Sequence, residues 1–257
     1  MWHPASVARP RRASVSRSLF LLLVLTLGCS GAASANTVWL PGDVSTCGQG
    51  DWAAGCGGVL GADFDAVYAA TFSVAVGLPS PGFAMSFDGA SFVEAYLPAS
   101  GAAGPLDASL GNPTTSASGV FGGDVLALEL NVDFSDMGFL LGTSGIPFGN
   151  LILTNFSTLP GLNGLTVRQF LAIDNTLLGG GSAAFTIADL EPVTFNVNGS
   201  FSGGNPTMFA QNNLMAPATV TPTPEPGTLL LLGTGLLGLT PLLRKRFAHL
   251  RHPSALA

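Results

Sequence analysis

Two apolar runs bracket this chain of 257 residues and confine any folded domain to what lies between them. The first, Leu19 to Leu27 (LFLLLVLTL), follows four arginines, Arg9, Arg11, Arg12 and Arg17. It is too short for a membrane span, which needs about 20 apolar residues. Its layout is that of a secretory signal: a basic start, an apolar core, then small residues with Ala33-Ser34-Ala35 as an A-x-A site. Residues 1–35 are therefore expected to be removed by signal peptidase, between Ala35 and Asn36. The alternative is a lipoprotein anchored at Cys29, but Thr26 stands where a lipobox carries Leu.

The second run extends from Gly227 to Leu243, the short end of what can cross a bilayer, with Arg244, Lys245 and Arg246 directly behind it. Basic residues stay cytoplasmic, so a transmembrane segment at 227–243 predicts a cytoplasmic basic tail at 247–257 and an external body. The exported N-terminus demands the same orientation. Charge is partitioned accordingly: residues 36–223 carry fourteen Asp and Glu against the single Arg168, a net charge of −13. Ahead of the span, Ala216 to Pro226 (APATVTPTPEP) contains four prolines. Residues 216–223 read as a Pro/Thr-rich, semi-rigid spacer.

Pro224-Glu225-Pro226, a Gly-Thr start, a short Leu/Gly span and an Arg-Lys-Arg stop follow in that order. This arrangement over residues 224–246 resembles the PEP-CTERM sorting signal. The resemblance implies recognition by an exosortase-like membrane enzyme, a protease-transferase acting near the motif. It also implies residence at the cell surface or in a biofilm matrix, in bacteria that make exopolysaccharide. The protein is then membrane-anchored in transit and afterwards cell-surface or extracellular. The bland alternative is a plain C-terminal anchor with a chance P-E-P.

In the exported body, residues 36–215, two cysteines remain, Cys47 and Cys56. An even pair in an oxidising compartment predicts one disulfide, and a cysteine metal site would need more ligands. Asp124 to Phe134 alternates, with Leu126, Leu128, Leu130, Val132 and Phe134 on one face. Similar runs occur at Val67–Val76, Gly82–Phe87, Ser91–Leu97, Asn150–Phe156, Phe185–Ile187 and Val193–Phe201. Short period-two runs separated by Gly and Pro predict an all-β fold, an antiparallel β-sandwich. One segment departs from this pattern. Leu165 to Leu178 carries a helical stripe, the capping-box spacing Thr166-x-x-Gln169 and a Gly179-Gly180-Gly181 stop, and so predicts one short amphipathic helix. The stretch from Leu165 through Phe201 also resembles a block found in some exported PEP-CTERM proteins.

The body lacks most catalytic chemistry. His3, His249 and His252 all lie in the terminal segments, and residues 36–223 contain no lysine. Ser-His-Asp and Cys-His nucleophile systems, lysine Schiff bases and His-ligated metals are excluded there. A strongly acidic body with one arginine excludes nucleic acid as a partner. Gly179-x-Gly181-x-x-Ala184 echoes a dinucleotide fingerprint, but it follows the predicted helix instead of opening one. Two chemistries remain. Carboxylate-dependent glycan cleavage needs only paired acids. Asp63-x-Asp65 and Asp133-x-x-Asp136 offer oxygen ligands for weak calcium binding, although neither continues into an EF-hand loop. Trp39, Trp52, Tyr68 and Tyr96 are candidates for stacking on sugar rings, or equally for the core. The expectation is a non-enzymatic exported matrix protein with no cofactor and exopolysaccharide as partner. The alternative is a carbohydrate-binding or glycan-active module.

Overall fold

The computed structural model describes residues 38–218. The expected all-β sandwich does not form. Among the described residues there are seven α-helices, and the strands are short. The helices are α1 (Gln49–Ala53), α2 (Val59–Val67), α3 (Ala90–Tyr96), α4 (Gly119–Asp136), α5 (Val167–Leu178), α6 (Ile187–Asn198) and α7 (Met208–Asn213). Strands β1 (Val74–Gly77) and β2 (Ala84–Phe87) pair antiparallel, and β3 (Leu110–Gly111) joins β2 in parallel. A second, two-stranded sheet pairs β4 (Ile152–Leu153) with β5 (Leu214–Met215).

The largest correction is α4. Its alternating leucines resemble a half-buried strand, yet fourteen of its eighteen residues are buried, on all sides except the narrow edge of Glu129, Asp133 and Asp136. That one polar edge is too narrow to stamp a clear 3.6-residue period on the sequence. Leu, Ala and Glu across DVLALEL then decide the conformation by intrinsic preference. The glycines at its start permit close approach. A Cβ at Gly123 would collide with the Gln49 side chain and lie 2.7 Å from Ala99 Cβ.

The other misread runs have simpler causes. In α3, Val93 and Tyr96 are buried while Phe92 is exposed, a helical spacing hidden in a short window. In α6, Leu190, Val193, Thr194, Val197 and Asn198 are buried, and Phe195, which the alternation placed with Val193 and Val197, is 62% exposed. Thr186 caps α6: its Oγ1 accepts from Asp189 N at 3.2 Å, and Thr186 N donates to Asp189 Oδ2 at 2.9 Å. This is the capping-box arrangement with Asp in place of Glu. The runs at Gly82–Phe87 and Asn150–Phe156 do contain β2 and β4, and the run at Val67–Val76 covers β1 except for Gly77, each strand being shorter than its run.

The helix foreseen at Leu165–Leu178 is α5. Thr166 N donates to Gln169 Oε1 at 2.8 Å and Gln169 N donates to Thr166 Oγ1 at 3.2 Å. Gly179 caps its C-terminus, and Gly180 continues at φ 82°, in the left-handed region that glycine adopts without strain. It packs on α4, α6 and β1 as one helix among seven, not on a sandwich.

The transmembrane segment 227–243, the signal peptide and its Ala35–Asn36 cleavage point, and the sorting residues Pro224, Glu225, Pro226, Arg244, Lys245 and Arg246 lie outside the described residues. Among the described residues no helix is long and apolar enough to cross a membrane.

Candidate functional site

The cysteine pair is bridged as the sequence predicts. Cys47 and Cys56 form a disulfide with Cα atoms 6.1 Å apart, closing the loop that contains α1. Inside this loop Trp52 is fully buried, 5.2 Å from the Phe134 ring in an edge-on contact. The loop is sewn to the centre of α4. Cys47 N donates to Asn131 Oδ1 and Asn131 Nδ2 donates to Cys47 O, both at 2.8 Å. Asn131 Nδ2 also donates to Asn198 Oδ1 at 3.0 Å, and Asn198 Nδ2 donates to the Asp124 carbonyl at 2.8 Å. A buried amide chain therefore links the bridged loop, α4 and α6.

Glu129, Asp133 and Asp136 stand at i, i+4 and i+7 on α4, which places them along one helix face. They line a cleft with Tyr68, Val67, Ala70, Thr71, Ser73, Ala75 and Met137. Tyr68 Oη donates to Asp133 Oδ2 at 3.0 Å, and Asn175 Nδ2 donates to Glu129 Oε2 at 3.0 Å. Arg168 Nη2 donates to both oxygens of Asp136, at 2.9 and 2.6 Å. Burial, followed by the negative charge of Asp133, pushes Glu129 up to about 7. Burial likewise raises Asp133, against the hydrogen bond from Tyr68. The Tyr68 hydroxyl is itself raised, first by burial and then by Asp133, so it stays a donor.

This cleft is the nearest thing to an acid–base site among the described residues. Glycoside cleavage is the reaction against which its carboxyls can be set. That reaction needs two carboxyl groups flanking the scissile bond. Here all three acids come from one wall, α4, while Val67, Ala70, Thr71, Ser73 and Ala75 bring none. The four aromatic residues offered for stacking do not serve as platforms. Trp39, Trp52, Tyr68 and Tyr96 are at most 6% exposed and belong to the core.

Of the two pairs offered for calcium, only Asp133 and Asp136 share a helix face. Asp63 and Asp65 are on α2, not in a turn, and residues two apart on a helix point to different faces. Asp136 is committed to Arg168. Among the described residues no group of three or more His, Cys, Asp or Glu is arranged to hold a metal ion. The Gly179–Ala184 stretch follows α5 as a helix stop and opens no phosphate-binding helix.

Sequence reasoning missed two buried acids. Asp124 is 1% exposed and Asp174 is 0% exposed. Gln49 Nε2 donates to Asp124 Oδ1 at 2.7 Å, and Thr194 Oγ1 donates to Asp174 Oδ2 at 2.9 Å. Asp124 Oδ2 and Asp174 Oδ1 have no hydrogen-bond partner among the described residues. Burial pushes Asp124 up to about 7 and raises Asp174 well above the ordinary carboxylate range. The signal for Asp174 was present in the sequence: it occupies the vacant position in the α5 stripe of Phe170, Leu171, Leu177 and Leu178.

The ends of the described body meet at a third place. Trp39 Nε1 donates to the Leu214 carbonyl at 2.8 Å, and Gln211 Nε2 donates to the Trp39 carbonyl at 2.7 Å. Trp39 N returns a bond to Gln211 Oε1 at 3.1 Å. Leu214 and Met215 then pair with β4, so the chain is held in place up to the foot of the Pro/Thr-rich segment.

No curated protein and no solved structure matches the chain. A family model does match its C-terminal part, at residues 222–246, and that model describes the PEP-CTERM protein-sorting motif. Such a motif implies export, membrane-anchored transit and processing by an exosortase. Beyond the fold that the described residues build, the chain thus carries its own address, a PEP-CTERM protein-sorting motif at its C-terminal end.

Proposed function

We propose that this protein is a non-enzymatic component of the cell surface or extracellular matrix, associated with exopolysaccharide and delivered through its PEP-CTERM motif. The motif at residues 222–246 carries this reading. Three features of the body support it. Residues 36–223 have neither histidine nor lysine. The four residues offered for sugar stacking, Trp39, Trp52, Tyr68 and Tyr96, are buried. The carboxylates of the cleft beside Tyr68 share a single wall. Contact with polysaccharide would then run over the acidic, hydroxyl-rich surface.

Intact mass spectrometry of the surface-associated protein tests the reading. The expected species begins at Asn36, lacks residues 227–257 and is lighter by two hydrogens for the Cys47–Cys56 bridge. A cytosolic full-length chain with reduced thiols would overturn it.

A further inference from the structure

Phe72 combines two local costs. It lies in the turn after α2, where its N donates to the Tyr68 carbonyl at 2.7 Å, and its backbone is in the left-handed region at φ 61°. Glycine takes that conformation without strain, whereas a bulky residue there is an outlier. Burial of the ring would offset the cost, yet Phe72 is 78% exposed. Its neighbours Phe64 and Tyr68 are buried and meet each other, with ring centroids 4.8 Å apart. A strained backbone that gains no packing marks the position as a candidate for function.

The ring borders a groove of about 610 Å³, within the range of small-ligand sites, about 300–1,000 Å³. Phe64, Tyr68, Ala69 and Phe72 form its apolar lining, and Asp65 and Asp88 supply its charged groups. Asp88 Oδ2 accepts from Asn112 Nδ2 at 2.9 Å, which fixes that carboxylate without neutralising it. Asp65 is exposed on α2. No cation of the body answers these acids: among the described residues the one salt bridge joins Arg168 to Asp136. Asp136 belongs with Glu129 and Asp133 to the neighbouring cleft, and Tyr68 lines both. Clefts lined by one sign of charge focus the field and raise the local concentration of the opposite charge.

We propose that this groove binds a cationic polysaccharide, a polymer of amino sugars whose nitrogens are free and protonated. The ammonium group sits among Asp65, Asp88 and the face of the Phe72 ring, whose quadrupole attracts cations. Charge complementarity selects the polymer. A body with fourteen acids against one arginine over residues 36–223 repels acidic polysaccharides and attracts cationic ones. The fold favours a polysaccharide over an extended peptide. Such peptides commonly dock by joining a sheet edge, and β2, which leads into Asp88, is already paired on both sides by β1 and β3. The inference rests on the matrix reading above and deepens it, by naming the chemistry of the exopolysaccharide.

The test measures binding of the mature surface-associated protein to a glucosamine oligomer and to the same oligomer N-acetylated. Isothermal titration is run in mildly acidic buffer that keeps the amines protonated. The glucosamine oligomer is expected to bind at least about tenfold more tightly, since only it makes charge-assisted contacts. Phe72→Asn removes the ring and keeps the turn, because Asn tolerates the left-handed conformation, and should weaken that binding about threefold or more. Phe72→Trp should preserve it. Asp65→Asn should weaken binding more than Glu191→Gln, which removes the same charge from α6, outside the groove. The Asp65 comparison decides the matter even where a Phe72 variant fails to fold. Equal or tighter binding of the acetylated oligomer overturns the proposal, and so do equal losses in the Asp65 and Glu191 variants. Oligolysine that binds more tightly than the glucosamine oligomer, and loses as much with Phe72→Asn, overturns it in favour of a basic protein. These failures leave the matrix reading standing, whereas a full-length chain retained in the cytosol overturns that reading and this inference with it.

Discussion

Thr194 Oγ1 donates to Asp174 Oδ2 at 2.9 Å in a position where both residues are 0% exposed, and the other carboxylate oxygen of Asp174 has no partner. A charged carboxylate with half its acceptor capacity unmet would be very costly there. The protonated form suits the site better, since a neutral carboxyl avoids burying charge. Asp124, one helix away, is in the same condition.

These acids set the direction of the pH dependence. A carboxyl whose folded value is raised binds more protons in the folded than in the unfolded state, so stability falls as pH rises. For Asp124 the window runs from its ordinary value of 3.8 up to about 7, and Glu129 adds to it between 4.5 and about 7. A tenfold change in acidity is worth ~1.4 kcal/mol, so complete ionisation of Asp124 costs on the order of 4 kcal/mol. The melting temperature should therefore drop steadily between about pH 4 and pH 8. Asp124→Asn should raise it at pH 8 and leave it nearly unchanged at pH 4, as read by calorimetry at both pH values. A melting temperature that climbs over this range would contradict the burial of these protons.

The Cys47–Cys56 bridge predicts a second effect on stability. Its ends are nine positions apart, and closing so small a loop restricts the unfolded chain by about 2–3 kcal/mol in the loop-entropy model. The loop holds Trp52 against Phe134, so reduction should be visible in tryptophan emission. Urea denaturation with and without reductant should show the midpoint shifting down with little change in slope. An unchanged midpoint would mean that the Asn131 contacts hold the loop without the bridge.

What could be read from the chain divides along a physical line. Thr166, Gln169 and the three glycines after Leu178 gave α5 with its limits, because caps act locally and need no tertiary partner. The disulfide was legible for the same reason, as was the address at residues 222–246. The fold class was not, because α4 is enclosed by α1, α5, α6 and β1. Leu126, Leu128 and Leu130 are buried, and so are Ala127 and Asn131 between and beyond them. The helical period survives only on a helix that keeps one face in water. Asp174 shows the opposite failure: it sat in view within an apolar stripe, and its burial depends on Thr194, twenty residues later.

Asn131 is the point where the bridged loop, α4 and α6 depend on one side chain. Its amide satisfies both backbone groups of Cys47 and the side-chain Oδ1 of Asn198, and it is 0% exposed. Asn131→Leu keeps the branching and the number of side-chain heavy atoms and leaves these groups unpaired. Unsatisfied buried groups cost about 1–3 kcal/mol each, so a total loss of about 3 kcal/mol or more is expected. Hydrogen exchange should locate the effect. The Cys47 amide should lose protection more than amides near β4 and β5.

Glu129 separates the matrix reading from the glycan-active one. It is the acid in the cleft best placed to exchange a proton near neutrality, since burial and Asp133 hold it up to about 7. If the cleft were catalytic, Glu129→Gln would abolish turnover of the host's exopolysaccharide while the protein stayed folded. On the structural reading the wild type releases no reducing ends, and the variant behaves identically on polysaccharide. The substitution should then act on stability alone. Removing a partly buried carboxylate beside Asp133 favours the fold above about pH 7, whereas below about pH 4.5 both forms are neutral and the difference should vanish. Reducing-end assays and melting curves of the two proteins at pH 4 and pH 8 distinguish these outcomes. Hydrolysis by the wild type that disappears in the variant would replace the structural role with a catalytic one.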